Sequence, residues 1–282
     1  MYKHFLITRF NIKVKNWNQT KSGNEVVGTQ WLTDRFKLFE TYCLPSVQNQ
    51  SNQNFTWLVF FDLHTPEFFK EKISRLQQEY PVFSPVYIDD AAEFRPTIIS
   101  EMQAKTTAEN DYIITSRIDN DDLIHKDFIQ TIQYLFKPIH NLVIDFRKGF
   151  QMVIEDDRNE IVKKENKFSP FTSIVEKRDA AASVFSREHK QWADSAHVTV
   201  YTEKRLWVTV VHPNNIWNAQ NPNLKRAYTF NNIDFGVRKE AVPQSKMLQS
   251  ALYNLRIDAR QSLSSIKKIG KILTTNLTLR KA

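Results

Sequence analysis

Four short apolar runs, each ending in charge and each separated from the next by a stretch of helical period, constrain this chain more than any other feature. The runs cover residues 5–8, 55–61, 82–88 and 112–115. They lead into Arg9, Asp62, Asp89 and the string Ser116-Arg117-Ile118-Asp119-Asn120-Asp121-Asp122. Near-continuous apolar runs of this length suit strands buried on both faces. Between them, Trp31, Phe36, Phe39 and Cys43 predict a helix over 31–44 that Pro45 ends. Thr65, Pro66 and Glu67 supply a cap, a first-turn proline and an early acid for a helix to about residue 80. Further helices are predicted over 97–110 and 126–136, and a strand over 141–145. The alternation predicts an α/β fold with a doubly wound, mostly parallel sheet. Ligands of such sheets gather beyond the carboxyl ends of the strands, where Arg9, Asp62, Asp89 and Asp119 would meet.

The pattern changes after residue 146. Runs at 150–154 and 161–164 flank Glu155-Asp156-Asp157-Arg158-Asn159, a hairpin signal, and a late strand over 205–212 stops at Pro213. A small antiparallel addition to the main sheet is therefore expected. Residues 11–28 and 214–235 are polar and predict loops. From 246 the chain predicts an amphipathic helix with Leu248, Leu252, Leu255, Ala259, Leu263, Ile266 and Ile269 on one stripe.

Length and charge limit the function classes. At 282 residues the chain suits one large α/β domain or two small ones. Its lone cysteine, Cys43, excludes an intrachain disulfide framework and a Cys-rich zinc site. Residues 246–282 hold eight of the 39 basic residues and one of the 31 acids, a net +7 out of +8. Residues 1–245 form a near-neutral body and 246–282 a basic tail, a division that argues against a nucleic-acid-binding module. The plain reading of the tail stripe is packing on protein, its own body or another subunit; the sharper alternative is a helix lying on anionic lipid. Neither a bilayer-spanning run nor a signal-peptide core is found, so a cytoplasmic location is expected, peripheral on the inner membrane face if the tail meets lipid.

The acidic string carries the chemistry. Two carboxylates at a strand end would repel a phosphorylated substrate unless a hard divalent cation, Mn²⁺ or Mg²⁺, bridged them to it. Such an ion would also stabilise charge on a departing diphosphate. The plainer reading of Asp119 and Asp121 is an acidic loop capping the next helix.

The string and its surroundings resemble a bacterial rhamnosyltransferase family related to nucleotide-sugar glycosyltransferases of the GT-A fold. The pieces that carry the resemblance are residues 5–11, 57–62, 116–122 and Trp207-Val208-Thr209-Val210-Val211-His212-Pro213-Asn214-Asn215. The resemblance implies a GT-A-like domain that moves a sugar from a nucleotide-diphosphate donor to a hydroxyl of a surface or capsular glycan, free or lipid-linked. It implies donor contacts at Arg9, Asp62, Arg117 and Asp119, and a metal held by Asp119, Asp121 and His212. Each residue has an ordinary alternative: a solvated arginine for Arg9, a helix cap for Asp62, an ion-pair partner for Arg117 and a strand-end histidine for His212. Asp122 either caps the next helix or orients a sugar hydroxyl. Glu176 and Asp194 are the candidate bases for the acceptor hydroxyl, or else surface charges. Trp192, Trp207 and Trp217 could stack on a sugar, though scattered tryptophans usually belong to the core. The rival activities are a nucleotidyltransferase using the same acid-bound metal and a non-catalytic carbohydrate- or partner-binding protein. The oligomeric state is left open.

Overall fold

Among the described residues two sheets share the fold, and the larger has seven strands. The computed structural model describes residues 1–12, 28–155, 158–213, 215, 221–244 and 246–279, with side chains of the last helix described to residue 263. The predicted 11–28 loop lies largely outside the described residues, as do parts of the 155–159 turn and the 214–235 loop, including Trp217, and the side chains of Ile266 and Ile269.

Chain order gives β1 (Tyr2–Arg9), α1 (Thr29–Leu38), α2 (Leu44–Gln48), β2 (Thr56–Asp62), α3 (Glu67–Glu79), β3 (Phe83–Ile88), α4 (Phe94–Ala104) and β4 (Tyr112–Arg117). There follow β5 (Leu123–Ile124), α5 (Phe128–Tyr134), β6 (Leu142–Phe146), β7 (Lys148–Glu155), β8 (Arg158–Glu165), β9 (Ser173–Lys177), β10 (His197–Tyr201), β11 (Trp207–Val211) and α6 (Met247–Leu279). The large sheet runs β10-β6-β9-β4-β1-β2-β3. Its pairings are parallel except those of β9, which runs antiparallel to both β4 and β6. The small sheet runs β5-β11-β7-β8, with β11 and β7 parallel and the other pairs antiparallel. The fold is thus mixed α/β, with a mostly parallel central sheet, a smaller and largely antiparallel one, and a long terminal helix.

Period-two alternation divides the core. Leu6, Trp57, Val59 and Phe61 face α1 and α3, while Phe5, Ile7, Leu58 and Phe60 face α4. Trp207 joins the small sheet to the first of these cores. Its indole stacks on Phe171 at 5.0 Å and donates to the Phe146 carbonyl at 2.8 Å. Trp192 and Trp207 are both buried, so neither offers a face to a sugar.

Three expectations are corrected. Pro45 does not end the first helix, which continues through a π turn over Phe39–Cys43 into α2. The Leu44 amide reaches back to the Phe39 carbonyl, and Pro45 falls at the start of the new α-helical segment, where its missing N–H costs little. The segments now forming β9 and β10 were not predicted as strands. β9 is only five residues long, and β10 is a mostly exposed edge strand with little apolar signal. Finally, the apolar stripe of α6 is not its packing face. Ser250, Asn254 and Ile257 are buried, whereas Leu248, Leu252, Leu255 and Leu263 are 53–75% exposed on the opposite side. Asn254 instead pairs with both backbone groups of Arg226, and the Tyr253 hydroxyl donates to the Pro222 carbonyl.

Gly149 permits the joint between the sheets, because a Cβ there would lie inside the Trp207 indole. Gly149→Ala is therefore expected to lower stability by about 1–3 kcal/mol through overpacking, read as a lower urea midpoint with an unchanged slope.

Candidate active site

The carboxyl ends of β1 and β4 converge on one edge of the large sheet. The two strands are parallel, with Ile7 opposite Arg117, so Arg117 and Arg9, two residues beyond Ile7, leave neighbouring strands on the same face. The chain then turns through 118–122, where the Asp122 amide bonds the Asp119 carbonyl and the Asn120 amide group donates to the Phe10 carbonyl at 2.8 Å. That stitching fixes the acidic loop against the exit of β1.

The three carboxylates of the loop have three different environments. Asp119 is the open one: its side chain is 39% exposed and lies 3.5 Å from an Arg117 guanidinium nitrogen. Asp121 is 6% exposed, and one of its oxygens, Oδ2, meets Arg35 Nη1 at 2.8 Å, His212 Nε2 at 3.0 Å and Asn215 Nδ2 at 3.1 Å. Burial pushes its carboxyl up, but the Arg35 charge and the His212 hydrogen bond and charge outweigh burial and hold it at about 2. Asp122 points into the small sheet, where Oδ1 accepts the Val210 amide at 2.9 Å. Burial, then the charges of Asp121 and Asp119, push Asp122 well above the usual carboxylate range. Asp122 thus ties the loop to β11 and sits away from solvent.

Arginine dominates the open side of this edge. The Arg117 guanidinium lies over the Phe185 ring at 4.8 Å, and its Nε has no hydrogen-bond partner among the described residues. Burial lowers the Arg9 pKa, with Asp119 and Glu188 opposing that shift and Arg117 adding to it, so all four groups share one electrostatic field. Glu188 and His189 were not singled out in the sequence. They arrive on the turn at His189–Asp194, where Glu188 and Gln191 form a reciprocal capping box.

The other sequence-named residues fall elsewhere. Asp62 is buried at the end of β2, with Oδ1 accepting the His64 amide at 2.7 Å and its carbonyl accepting Thr65. It organises its own turn. Glu176 lies on β9 opposite Ile113, four residues back along β4 from Arg117, and its two oxygens accept the Ala182 and Ser183 amides. Those bonds hold the turn in which Ser183 takes φ 75°. Asp194 is exposed at the end of its turn.

A divalent ion at Asp121 and His212 would suit the donor chemistry, oxygen with imidazole, but not the arrangement. Three hydrogen-bond donors already surround the carboxylate oxygen, one of them a fixed cation. Among the described residues no group of three or more His, Cys, Asp or Glu side chains is assembled to hold a metal.

The family described as "Putative rhamnosyl transferase" matches residues 3–223. The chain belongs to that family. No curated protein matches it. Among solved structures, S. aureus TarS 1-349 in complex with UDP-GlcNAc is similar over 78% of this chain and 62% of that one, at 12% identity and TM-score 0.43. This chain therefore spans less than two thirds of the staphylococcal one. The inositol-1-phosphate CTP transferase from T. maritima is similar over 75% of this chain and 90% of that one, at 10% identity and TM-score 0.35.

In this member of the rhamnosyl transferase family the two buried carboxylates have opposite linkage to pH. Asp121 is depressed below its ordinary 3.8, so its contribution to stability is present above that value and lost as pH falls through about 2. Asp122 is raised, so its contribution is full below 3.8 and lost as pH rises through its shifted value. Asp121→Asn, which strands Arg35, is expected to cost about 3–5 kcal/mol at pH 7. Asp122→Asn keeps the acceptor for Val210 and is expected to be at least as stable as the parent at pH 8, with the advantage shrinking toward pH 4. Urea unfolding followed by circular dichroism across pH 4–8 reads both.

Proposed function

We propose that this chain is a glycosyltransferase of GT-A architecture, moving a sugar from a nucleoside-diphosphate donor to a hydroxyl of a surface or capsular glycan. One observation carries the reading: Arg9, Arg117 and Asp119 meet at the carboxyl edge of β1 and β4 in a chain that belongs to this family. Breaking the glycosidic bond to phosphate puts negative charge on the departing diphosphate. Guanidiniums already in place meet that charge without rearranging, and they bind oxyanions with paired N–H donors. Asp119 presents an acceptor to sugar hydroxyls at the same edge. The proton of the attacking hydroxyl needs a base; both oxygens of Glu176 are engaged by backbone, and Asp194 is the exposed carboxylate of the two candidates. Rhamnose is the sugar that the family description suggests.

The acceptor would be presented at a membrane. In our reading residues 1–245 form the transferase body and 246–282 an anchoring tail. The exposed leucine stripe of α6, bordered by Arg256 and Arg260, matches a surface that is apolar within and anionic at its headgroups. Among the described residues no helix is long and apolar enough to cross a membrane. The tail would therefore lie on a bilayer.

A donor panel of UDP-, GDP- and dTDP-sugars, read by released nucleotide, tests the transfer. Nucleoside diphosphate is the expected product, and Asp119→Asn and Arg117→Gln are each expected to lower turnover about 10²-fold with the fold intact. Pyrophosphate release would point to nucleotidyl transfer. Absence of both turnover and nucleotide binding would leave a binding protein.

For the tail, the full chain should sediment with vesicles containing anionic lipid, and Leu252→Glu with Leu255→Glu should abolish it. Unchanged sedimentation of the double variant would sink the membrane reading. A dimer lost in the same variant would make a second copy the occupant of the stripe.

A further inference from the structure

Arg35 is a further residue at this site that sequence reading did not single out. It lies in α1, one helical turn after Trp31, and its guanidinium stacks over that ring at 4.9 Å. Its side chain is 9% exposed. Nη1 bonds Asp121 Oδ2 at 2.8 Å and Asn120 Oδ1 at 3.1 Å. The middle of the acidic string is therefore reached from inside the protein by a permanent cation. His212 and Asn215 close the same carboxylate from the far side, and Asn215 in turn accepts the His212 backbone amide at 2.7 Å.

We propose that Arg35 is the built-in counter-cation of the acidic loop, standing at Asp121 where a divalent ion would otherwise sit. The nucleoside diphosphate of the proposed reaction then binds against the fixed guanidiniums Arg9 and Arg117 without an ion held at Asp121. This rests on the donor reading above and specifies its electrostatics. Three physical points support it. A carboxylate oxygen offers two lone pairs, and Oδ2 of Asp121 already has three nitrogen neighbours, so an ion could ligate it only by displacing some of them. Displacing Arg35 would strand a buried guanidinium, which is costly without a partner. Asp122 is no substitute second ligand, because it points into the small sheet and holds the Val210 amide. Of the three carboxylates only Asp119 is open, and a lone monodentate carboxylate is a weak seat for Mg²⁺ or Mn²⁺.

The test uses the full chain, with Mn²⁺ binding followed by electron paramagnetic resonance and nucleotide binding by calorimetry with UDP, GDP and dTDP. In the parent protein the diphosphate that binds should bind within about threefold as well in EDTA as in Mn²⁺. Arg35→Gln, which leaves Asp121 and His212 without the competing charge, should tighten Mn²⁺ binding at least tenfold, and adding Asp121→Asn should reverse that gain. Asp121→Asn alone should leave Mn²⁺ affinity unchanged.

The proposal is overturned if EDTA abolishes nucleotide binding and Mn²⁺ restores it. It is equally overturned if Asp121→Asn weakens Mn²⁺ binding tenfold while Arg35 is present. Should either variant fail to fold, the comparison of EDTA with Mn²⁺ in the parent chain decides. If none of the nucleotides binds with or without the ion, the donor reading fails, and the Mn²⁺ titrations still report whether Arg35 excludes the ion.

Discussion

A buried guanidinium–carboxylate pair, Arg35 with Asp121, sets the geometry of the candidate site. Taking both charges out of water is costly, and their attraction offsets that cost only when the remaining hydrogen-bonding capacity is met. Here it is met by Asn120, Asn215, His212 and the Trp31 ring. Those partners come from α1, from the loop after β4 and from the segment after β11. One ion pair thereby draws three distant parts of the chain to the same corner. The neighbouring carboxylate does related work: Asp122, whose pKa is raised by burial and by the Asp121 and Asp119 charges, joins the loop to the small sheet through the Val210 amide.

Much of the fold was legible in the chain. The apolar runs of β1, β2 and β4 and the late strand β11 announce themselves because strands buried on both faces need nearly unbroken apolar sequence, while β3, a partly buried edge strand broken by Pro85, shows through its flanking apolar residues. What could not be read was the insertion of β9 between β4 and β6. Strand order depends on long-range pairing, and the five residues of β9 carry no local sign of their neighbours. Pro45 misled because a proline ends a helix only when a donor is needed at its position, and the π turn places it where none is.

The site was legible in part for an equally physical reason. Asp119, Asp121 and Arg117 stand out as charges packed at a strand end; His212, which the resemblance implied as a metal ligand, lies with its Nε2 3.0 Å from Asp121 Oδ2. The different fates of Asp119, Asp121 and Asp122 were not visible, because they depend on which surface each side chain meets. Arg35 did leave a signal: an arginine four residues after Trp31, on the face that also buries Phe39 and Tyr42. A charge on a buried helical stripe needs a partner of opposite sign, and the acidic string was the obvious place to seek one.

The helix of residues 29–48, with its π turn, also has a mechanical role. Arg35 grips residues 120 and 121, Ser46 accepts the Ile124 amide, and Gln50, just past the helix end, bonds the His125 carbonyl and the Ile129 amide. It therefore acts as a splint bound along residues 120–129, from the acidic loop through β5 to the start of α5. The π turn at Phe39–Cys43 adds one residue to the winding between the grip at Arg35 and those at Ser46 and Gln50. Removing a single residue there would turn everything beyond it by about a quarter of a revolution, so that both ends of the splint could no longer be fastened at once. The acidic loop that carries Asp119 is consequently fastened to that splint through its neighbours Asn120 and Asp121.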